Sequence, residues 1–305
     1  MKKLLLFAVF LILPYCSNAQ LFINNVTQTP AQLVQNVLLG QGVVVSNITY
    51  NGTAANATAV RDQVGFFTTG ITPTNLGIAE GLILATGNAT LAEGPNNANN
   101  ASDPTGFPIE GDPDLLALAN GAIRNKSVLE FDFVPTGNQL SFNFVFASEE
   151  YPEYVGSQFN DVFGFFISGP GFGGQQNIAR LPNGAVVAIN SVNNGNTAPA
   201  QGVPVTGPSN PQYYVPNGNG NQTPFNQSPI YIQYDGFTDV LEAVSKVQCG
   251  QTYHLIIAIA DAGDGAWDSG MFLEANSLST KTPIEIDYTL SQQVYTNPDW
   301  LAEGC

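Results

Sequence analysis

Two stretches carry the side chains able to do chemistry, and both are rich in carboxylates. The first runs Glu149-Glu150-Tyr151-Pro152-Glu153-Tyr154 and is followed by Asn160-Asp161. The second is Asp261-Ala262-Gly263-Asp264-Gly265-Ala266-Trp267-Asp268. Clustered carboxylates repel one another, so they ask for a cation or for water. Calcium takes about six to eight oxygens from carboxylates, carbonyls and water, and glycines let backbone carbonyls turn inward. The candidate calcium ligands are therefore Glu149, Glu150, Asp161, Asp261, Asp264 and Asp268. The spacing is neither that of an EF-hand nor that of a nonapeptide calcium repeat. The competing reading is a pair of solvated acidic turns.

Other chemistries fit less well. Paired carboxylates can hydrolyse glycosides when they stand roughly 5–10 Å apart. Nothing here singles out one acid and one base, and adjacent Glu149 and Glu150 point to opposite faces if extended. No catalytic residue is expected, and the chain is read as a non-enzyme. His254, the sole histidine, lies inside an apolar run and reads as structural, which weakens Ser–His–Asp and zinc hypotheses. Cys249 has only Lys246 as a basic neighbour, a poor setting for a nucleophile. Tyr151, Tyr154, Tyr213, Tyr214 and Trp267 are candidates for a platform that binds sugar or protein. The alternative is aromatic packing at strand ends.

Strands must hold these loops. Phe142, Phe144 and Phe146 share one face of a strand over Gln139–Ala147. A second apolar run, Val162–Ile167, ends at Gly169-Pro170-Gly171. Tyr253–Ala260 reads as a buried strand leading straight into the second acidic loop, and Met271–Ala275 as the strand after it. Further strands are expected at Val43–Tyr50, Gly65–Thr68, Gly81–Thr86, Ser127–Val134, Ala185–Val192 and Tyr231–Tyr234. Residues 193–229 read as one long loop. Thr29-Pro30 and Asp112-Pro113 each pair a capping residue with proline at the first helical position, predicting two short helices. Gly40 and Gly121 would stop them. Many short strands between turn signals predict an all-β fold, an antiparallel β-sandwich of jelly-roll type capped by those helices.

The whole chain sets the compartment. It has 24 acidic residues against eight Lys and Arg, for a net charge of −16. Nucleic acid is excluded as a partner, since phosphate binding needs clustered bases. Residues 1–19 read as a secretory signal, with Lys2-Lys3, an apolar core too short to span a bilayer, and Ser17-Asn18-Ala19 before the cut. Cys16 invites lipidation, but Pro14-Tyr15 before it is a poor lipid-attachment box. No other stretch is apolar enough to cross a membrane as a helix. After cleavage Cys249 and Cys305 remain, and a disulfide between them suits an oxidising compartment. Residues 20–283 read as one domain, and 284–305 as the start of a further segment.

Several long motifs stand in a recognisable order: NVLLGQGVVVSNITYNG (Asn36–Gly52), GLILATG (Gly81–Gly87), GDPDL (Gly111–Leu115) and VLEFDFVP (Val128–Pro135). FVFASEEYPEYVGSQFNDVFGFFISGPG (Phe144–Gly171), YDGFT (Tyr234–Thr238) and YHLIIAIADAGDGAWDSGMFLEANS (Tyr253–Ser277) follow. With them the chain resembles the choice-of-anchor L domain, a module of secreted and surface bacterial proteins. The resemblance implies an extracellular, cell-surface-associated binding or adhesion module whose partner is a glycan or protein surface. It implies no catalytic residues. A spacer that only displays its neighbours is the alternative function, and a carbohydrate-active enzyme a more distant one. No anchoring or sorting segment is recognisable after Cys305, so further domains of the same polypeptide are expected.

Overall fold

The computed structural model describes residues 20–55, 62–103, 109–119 and 121–281. The leader at 1–19 with Cys16, and the tail at 284–305 with Cys305, lie outside the described residues. Cys249 is disulfide-bonded.

The elements follow in chain order. They begin with β1 (Phe22–Asn24), α1 (Pro30–Leu33), β2 (Val43–Tyr50), β3 (Thr53–Ala54), β4 (Val64–Thr68) and β5 (Glu80–Ala85). Next come β6 (Ile109–Glu110), α2 (Pro113–Leu118), β7 (Ile123–Pro135), β8 (Gln139–Ser148) and β9 (Val162–Ser168). The chain continues with β10 (Gln176–Asn177), β11 (Tyr214–Pro216), β12 (Gly236–Thr238) and β13 (Leu241–Lys246). It closes with β14 (Tyr253–Ala262), β15 (Ser269–Glu274) and β16 (Ser279–Lys281). The expected sandwich is present. One sheet runs β1-β4-β5-β15-β8-β12-β11, with β13 and β16 also paired to β8; the other runs β10-β9-β14-β7-β2-β3, with β6 on β7. All named strand pairs are antiparallel.

The two phenylalanine rows meet between the sheets. Phe142 packs on Phe165 at 4.8 Å, Phe144 on Phe165 at 4.9 Å, and Phe146 stacks on Phe163 at 4.7 Å. The other face of β8 is buried too. Val145 and Ala147 join Ile83, Phe272, Tyr234 and Phe237 in a second cluster on the outer face of that sheet. A third cluster, with Leu115 of α2, covers Val128, Phe166 and Ala258 on the outer face of the other sheet. Both helices start as the sequence predicts. The Thr29 hydroxyl accepts from the Gln32 N–H in a capping box, and Asp112 Oδ1 accepts from the Asp114 and Leu115 N–H groups.

Four expectations need correction. Ala185–Val192 is not a strand: Ser191 Oγ donates to the Val186 carbonyl at 2.6 Å and accepts from the Ala188 N–H at 2.9 Å, curling the segment into turns. Its Val187, Ile189 and Val192 still reach the core, so burial alternates without a ladder. Tyr231–Tyr234 holds bends and no strand, and the strand comes after it as β12. The span 193–229 is not one featureless loop, since it holds a 3₁₀ turn at Pro211–Tyr213, β11 and isolated bridges such as Asn193 to Ser209. Gly40 does not stop its helix in a left-handed conformation; a Cβ there would collide with the Asn276 carbonyl, so the glycine serves close approach.

Phe163 touches three rings across and along the core. Phe163→Ala should cost about 3–5 kcal/mol in chemical denaturation, because the sheets cannot collapse onto the hole. Val44→Ala, at a position 64 % exposed, should stay within about 0.5 kcal/mol of the parent.

Candidate metal centre

Antiparallel topology brings many segment ends to one end of the sandwich. Glu149 and Glu150 follow β8, Asp161 precedes β9, Asp261 lies near the end of β14, and Asp268 precedes β15. The two acidic stretches therefore meet: the Glu149 N–H donates to the Asp268 carbonyl at 3.1 Å, and Ser148 faces Ser269 in register. A register shift between Ile259 and Asp261 against β7 marks a bulge. Bulges re-aim side chains. Asp261 is thus part of the strand, one residue beyond the boundary the sequence suggests.

Most of these carboxylates are buried. Glu149 is 0 % exposed, Glu150 3 %, and Asp161, Asp261 and Asp268 1 % each. Asp264 stands apart, exposed at the rim. Two of the buried groups are well held. Asp161 accepts from the Ala262 N–H at 3.0 Å and from Ser269 Oγ at 2.6 Å. Asp268 accepts from the Asp103 N–H at 2.9 Å, and its carboxylate lies so close to Gly87 that a Cβ there would collide with it.

The others have oxygens left over. Asp261 Oδ2 accepts from Asn125 Nδ2 at 2.6 Å and the Thr86 hydroxyl lies close enough to favour the charged form, but Oδ1 has no donor in full hydrogen-bond geometry. Glu150 Oε2 has none either. Two neutral amides add to this count. Gln63 spends its Nε2 on the Thr86 and Asn125 carbonyls, both at 2.7 Å, and Asn125 spends its Nδ2 on Asp261 and Gly265. Gln63 Oε1 and Asn125 Oδ1 are then buried acceptors without donors. Gln63 and Asn125 are each 1 % exposed. Sequence inspection had no means to find Gln63, Asn125 or Thr86, since each is one polar residue in an ordinary stretch.

Adjacent Glu149 and Glu150 sit in a turn after β8, and their surroundings differ. The charges acting most on Glu150 are Asp161, Asp264 and Asp261. Glu149 looks instead toward Asp235, which immediately precedes β12. Gln233 Nε2 donates to Glu149 Oε1 at 3.3 Å, and Asn96 Nδ2 donates to Asp235 Oδ1 at 2.7 Å. Asp235 is 1 % exposed and was not among the expected ligands.

Burial is the leading cause of the shifts that follow. It pushes the Glu150 carboxyl up to about 11, with the charges of Asp161, Asp264 and Asp261 adding to it. Asp161 and Asp268 rise to about 7, and Asp235 to about 8, against the hydrogen bonds that favour their charged forms. Glu149 and Asp261 are raised well above the usual carboxylate range. The ionised forms thus lack compensation. Among the described residues, no three His, Cys, Asp or Glu side chains converge as a ready-made metal cage. Any cation would have to combine carboxylates with amide and carbonyl oxygens, as calcium does.

The aromatic candidates do not gather on one surface. Tyr151 is wholly buried, packs on Tyr214 at 4.9 Å and donates its hydroxyl to the Val192 carbonyl. Tyr154 packs on Trp267 at 4.7 Å as a separate pair beside the second acidic loop. Tyr213 lines a groove of about 910 Å³ together with Pro170, Phe172, Leu241, Val244 and Lys246. None of the acidic cluster lines that groove. His254 is on the outside of β14, 38 % exposed, with Nδ1 2.8 Å from Asp132 and Nε2 3.5 Å from Glu130.

The raised carboxyls set a pH dependence. The folded state holds protons that the unfolded chain releases near 4, so the stability they supply is complete below that point. It is lost as pH rises through about 7 for Asp161 and Asp268 and about 8 for Asp235. Metal-free protein should therefore melt several degrees lower at pH 8 than at pH 5, read by circular dichroism in chelator. Asp132 does not mask this: its carboxyl is held below 3.8 by Asn47 and His254, so its contribution is lost only as pH falls through a more acid range.

A family model described as the Choice-of-anchor L domain matches residues 22–279. Searches of curated proteins and of solved structures find no match.

Proposed function

We infer the function from two premises: this chain belongs to the choice-of-anchor L domain family, a cell-surface-associated module, and one end of its sandwich buries several carboxylates, some with an oxygen that has no donor among the described residues. From these we propose a secreted binding or adhesion module whose loop-bearing end is set by calcium. Its partner is a glycan or protein surface outside the cell.

The observation that carries the reading is the set of buried acceptors with no donor: Glu150 Oε2, Asp261 Oδ1, Gln63 Oε1 and Asn125 Oδ1. A buried acceptor left unpaired costs about 1–3 kcal/mol, and more when charged. One calcium ion would satisfy several at once. Glu150 and Asp261 supply carboxylate oxygens, the two amides supply neutral ones, Asp161 and Asp268 add negative charge nearby, and exposed Asp264 marks an approach from solvent. The reading also favours binding over catalysis. Carboxylates this deep would meet a substrate only if the end of the sandwich opened, whereas a structural ion needs no such access.

An ion bound only by the folded state stabilises it by about 2.7 kcal/mol at a hundredfold excess over its dissociation constant. Adding calcium to chelator-treated protein at pH 7.5 should raise the melting midpoint by roughly 5–10 °C. Asp261→Asn and Glu150→Gln should each remove most of that rise. A midpoint indifferent to both calcium and chelator would overturn the calcium assignment. A glycan array probed with and without calcium then tests the binding role.

A further inference from the structure

We propose a second cation site, built from Glu149 and Asp235 and separate from the one around Asp261, that ties the asparagine-rich excursion between β10 and β12 to the end of β8. It extends the calcium reading to a second ion and rests on that reading for the ion's identity.

The two carboxylates come from different segments, one just after β8 and one just before β12. Both are buried, at 0 % and 1 % exposure. Asp235 is the strongest charge acting on Glu149. Each carboxylate has one oxygen held by an amide, and Ala101 lies close enough to Glu149 to favour its charged form. Gln233 takes Glu149 Oε1, Asn96 takes Asp235 Oδ1, and Gln233 also donates to Asn96 Oδ1 at 3.3 Å. The amides thus form a bridge that fixes the inner oxygens. Glu149 Oε2 and Asp235 Oδ2 remain buried without a donor.

More oxygens stand close by. The charges acting most on the Tyr214 hydroxyl are Asp235 and Glu153, and a Cβ at Gly236 would meet that hydroxyl. Glu153 Oε2, also buried, lacks a donor. Two buried carboxylates, with a phenol and amide oxygens close by, offer oxygen ligands alone, which suits a hard divalent cation of the calcium class. The surrounding scaffold is tied together by side-chain amides. Asn217 Nδ2 donates to the Ile232 and Tyr234 carbonyls at 2.7 Å each, Asn96 Nδ2 donates to the Asn217 carbonyl, and Asn75 Nδ2 donates to Asn217 Oδ1. What this scaffold lacks is positive charge, and an ion between Glu149 and Asp235 would supply it.

The test counts calcium by equilibrium dialysis and elemental analysis on the chain and on Asp235→Asn, Glu149→Gln and Asp261→Asn, each checked for folding by circular dichroism. Two ions on the parent, and one on each variant, are expected. Calcium should also protect residues 193–235 from limited proteolysis in the parent and in Asp261→Asn, but not in Asp235→Asn. If Asp235→Asn and Glu149→Gln bind as the parent does, the second site is overturned while the first stands. If Asp235→Asn loses every ion, the two clusters are one site and the inference also falls. If the parent binds no calcium, the earlier reading fails and takes this one with it.

Discussion

Burying negative charge at one end of the sandwich is the constraint on which the rest of the structure depends. Six carboxylates, those of Glu149, Glu150, Asp161, Asp235, Asp261 and Asp268, lie at most 3 % exposed. The strongest charge acting on Glu149, Glu150, Asp161 and Asp261 is another of the six, whereas on Asp235 it is Glu153 and on Asp268 it is Asp103. An isolated buried carboxylate would take a proton, and these are pushed that way. Several cannot do so cheaply near neutral pH, because hydrogen bonds such as Ser269 to Asp161 and the Asp103 N–H to Asp268 are made to the charged form. Burial thus favours the protonated forms while these hydrogen bonds favour the charged ones. The strands around the site must be stiff enough to keep that tension from dispersing, and the phenylalanine rows between the sheets, with a second apolar layer over Val145 and Ala147, provide that stiffness.

That stiffness was the most legible part of the sequence. Alternating Phe142, Phe144 and Phe146 predicted both the strand and the inward face, and the Thr-Pro and Asp-Pro pairs predicted where each helix starts. These features are local, so a period of two or a cap can be read without knowing the partner. The acidic loops were legible as composition. Their meeting was not, because it depends on β8 pairing with β15 and β14 with β9, and those contacts span about a hundred residues or more.

The excursion between β10 and β12 was misread for a different reason. Asparagine and glycine signal loops because their side chains compete with backbone ladders. Here that competition is the structure. Asn193 Oδ1 accepts from the Gly195 and Ser209 N–H groups, Asn196 Nδ2 donates to the Glu153 carbonyl, and Asn217 closes onto Ile232 and Tyr234. Side-chain amides do the work that strands do elsewhere, with no periodicity to announce it. Asp235 was hidden inside this region, where a turn aspartate looks like any other. Gln63 and Asn125 were hidden by identity, since a neutral amide becomes a ligand candidate only once its N–H groups are seen to be spent.

The two acidic compartments follow from one geometric fact. A turn after β8 sends consecutive carboxylates into different surroundings, Glu150 toward the β9 and β14 ends and Glu149 toward the segment before β12. The first compartment is assembled from β-strand ends, which the sandwich core fixes independently. The second leans on side-chain amides as well as on the buried Ile232, Tyr234 and Phe237, so part of its order rests on polar contacts. On the calcium reading proposed above, a cell-surface module would gain from this division, the strand core holding without the ion and the loops setting firm with it. Adhesive surfaces need loops that hold one shape against a partner, since ordering them at the moment of binding would cost affinity. In that reading an ion among the buried carboxylates would order the loops beforehand and spare that cost.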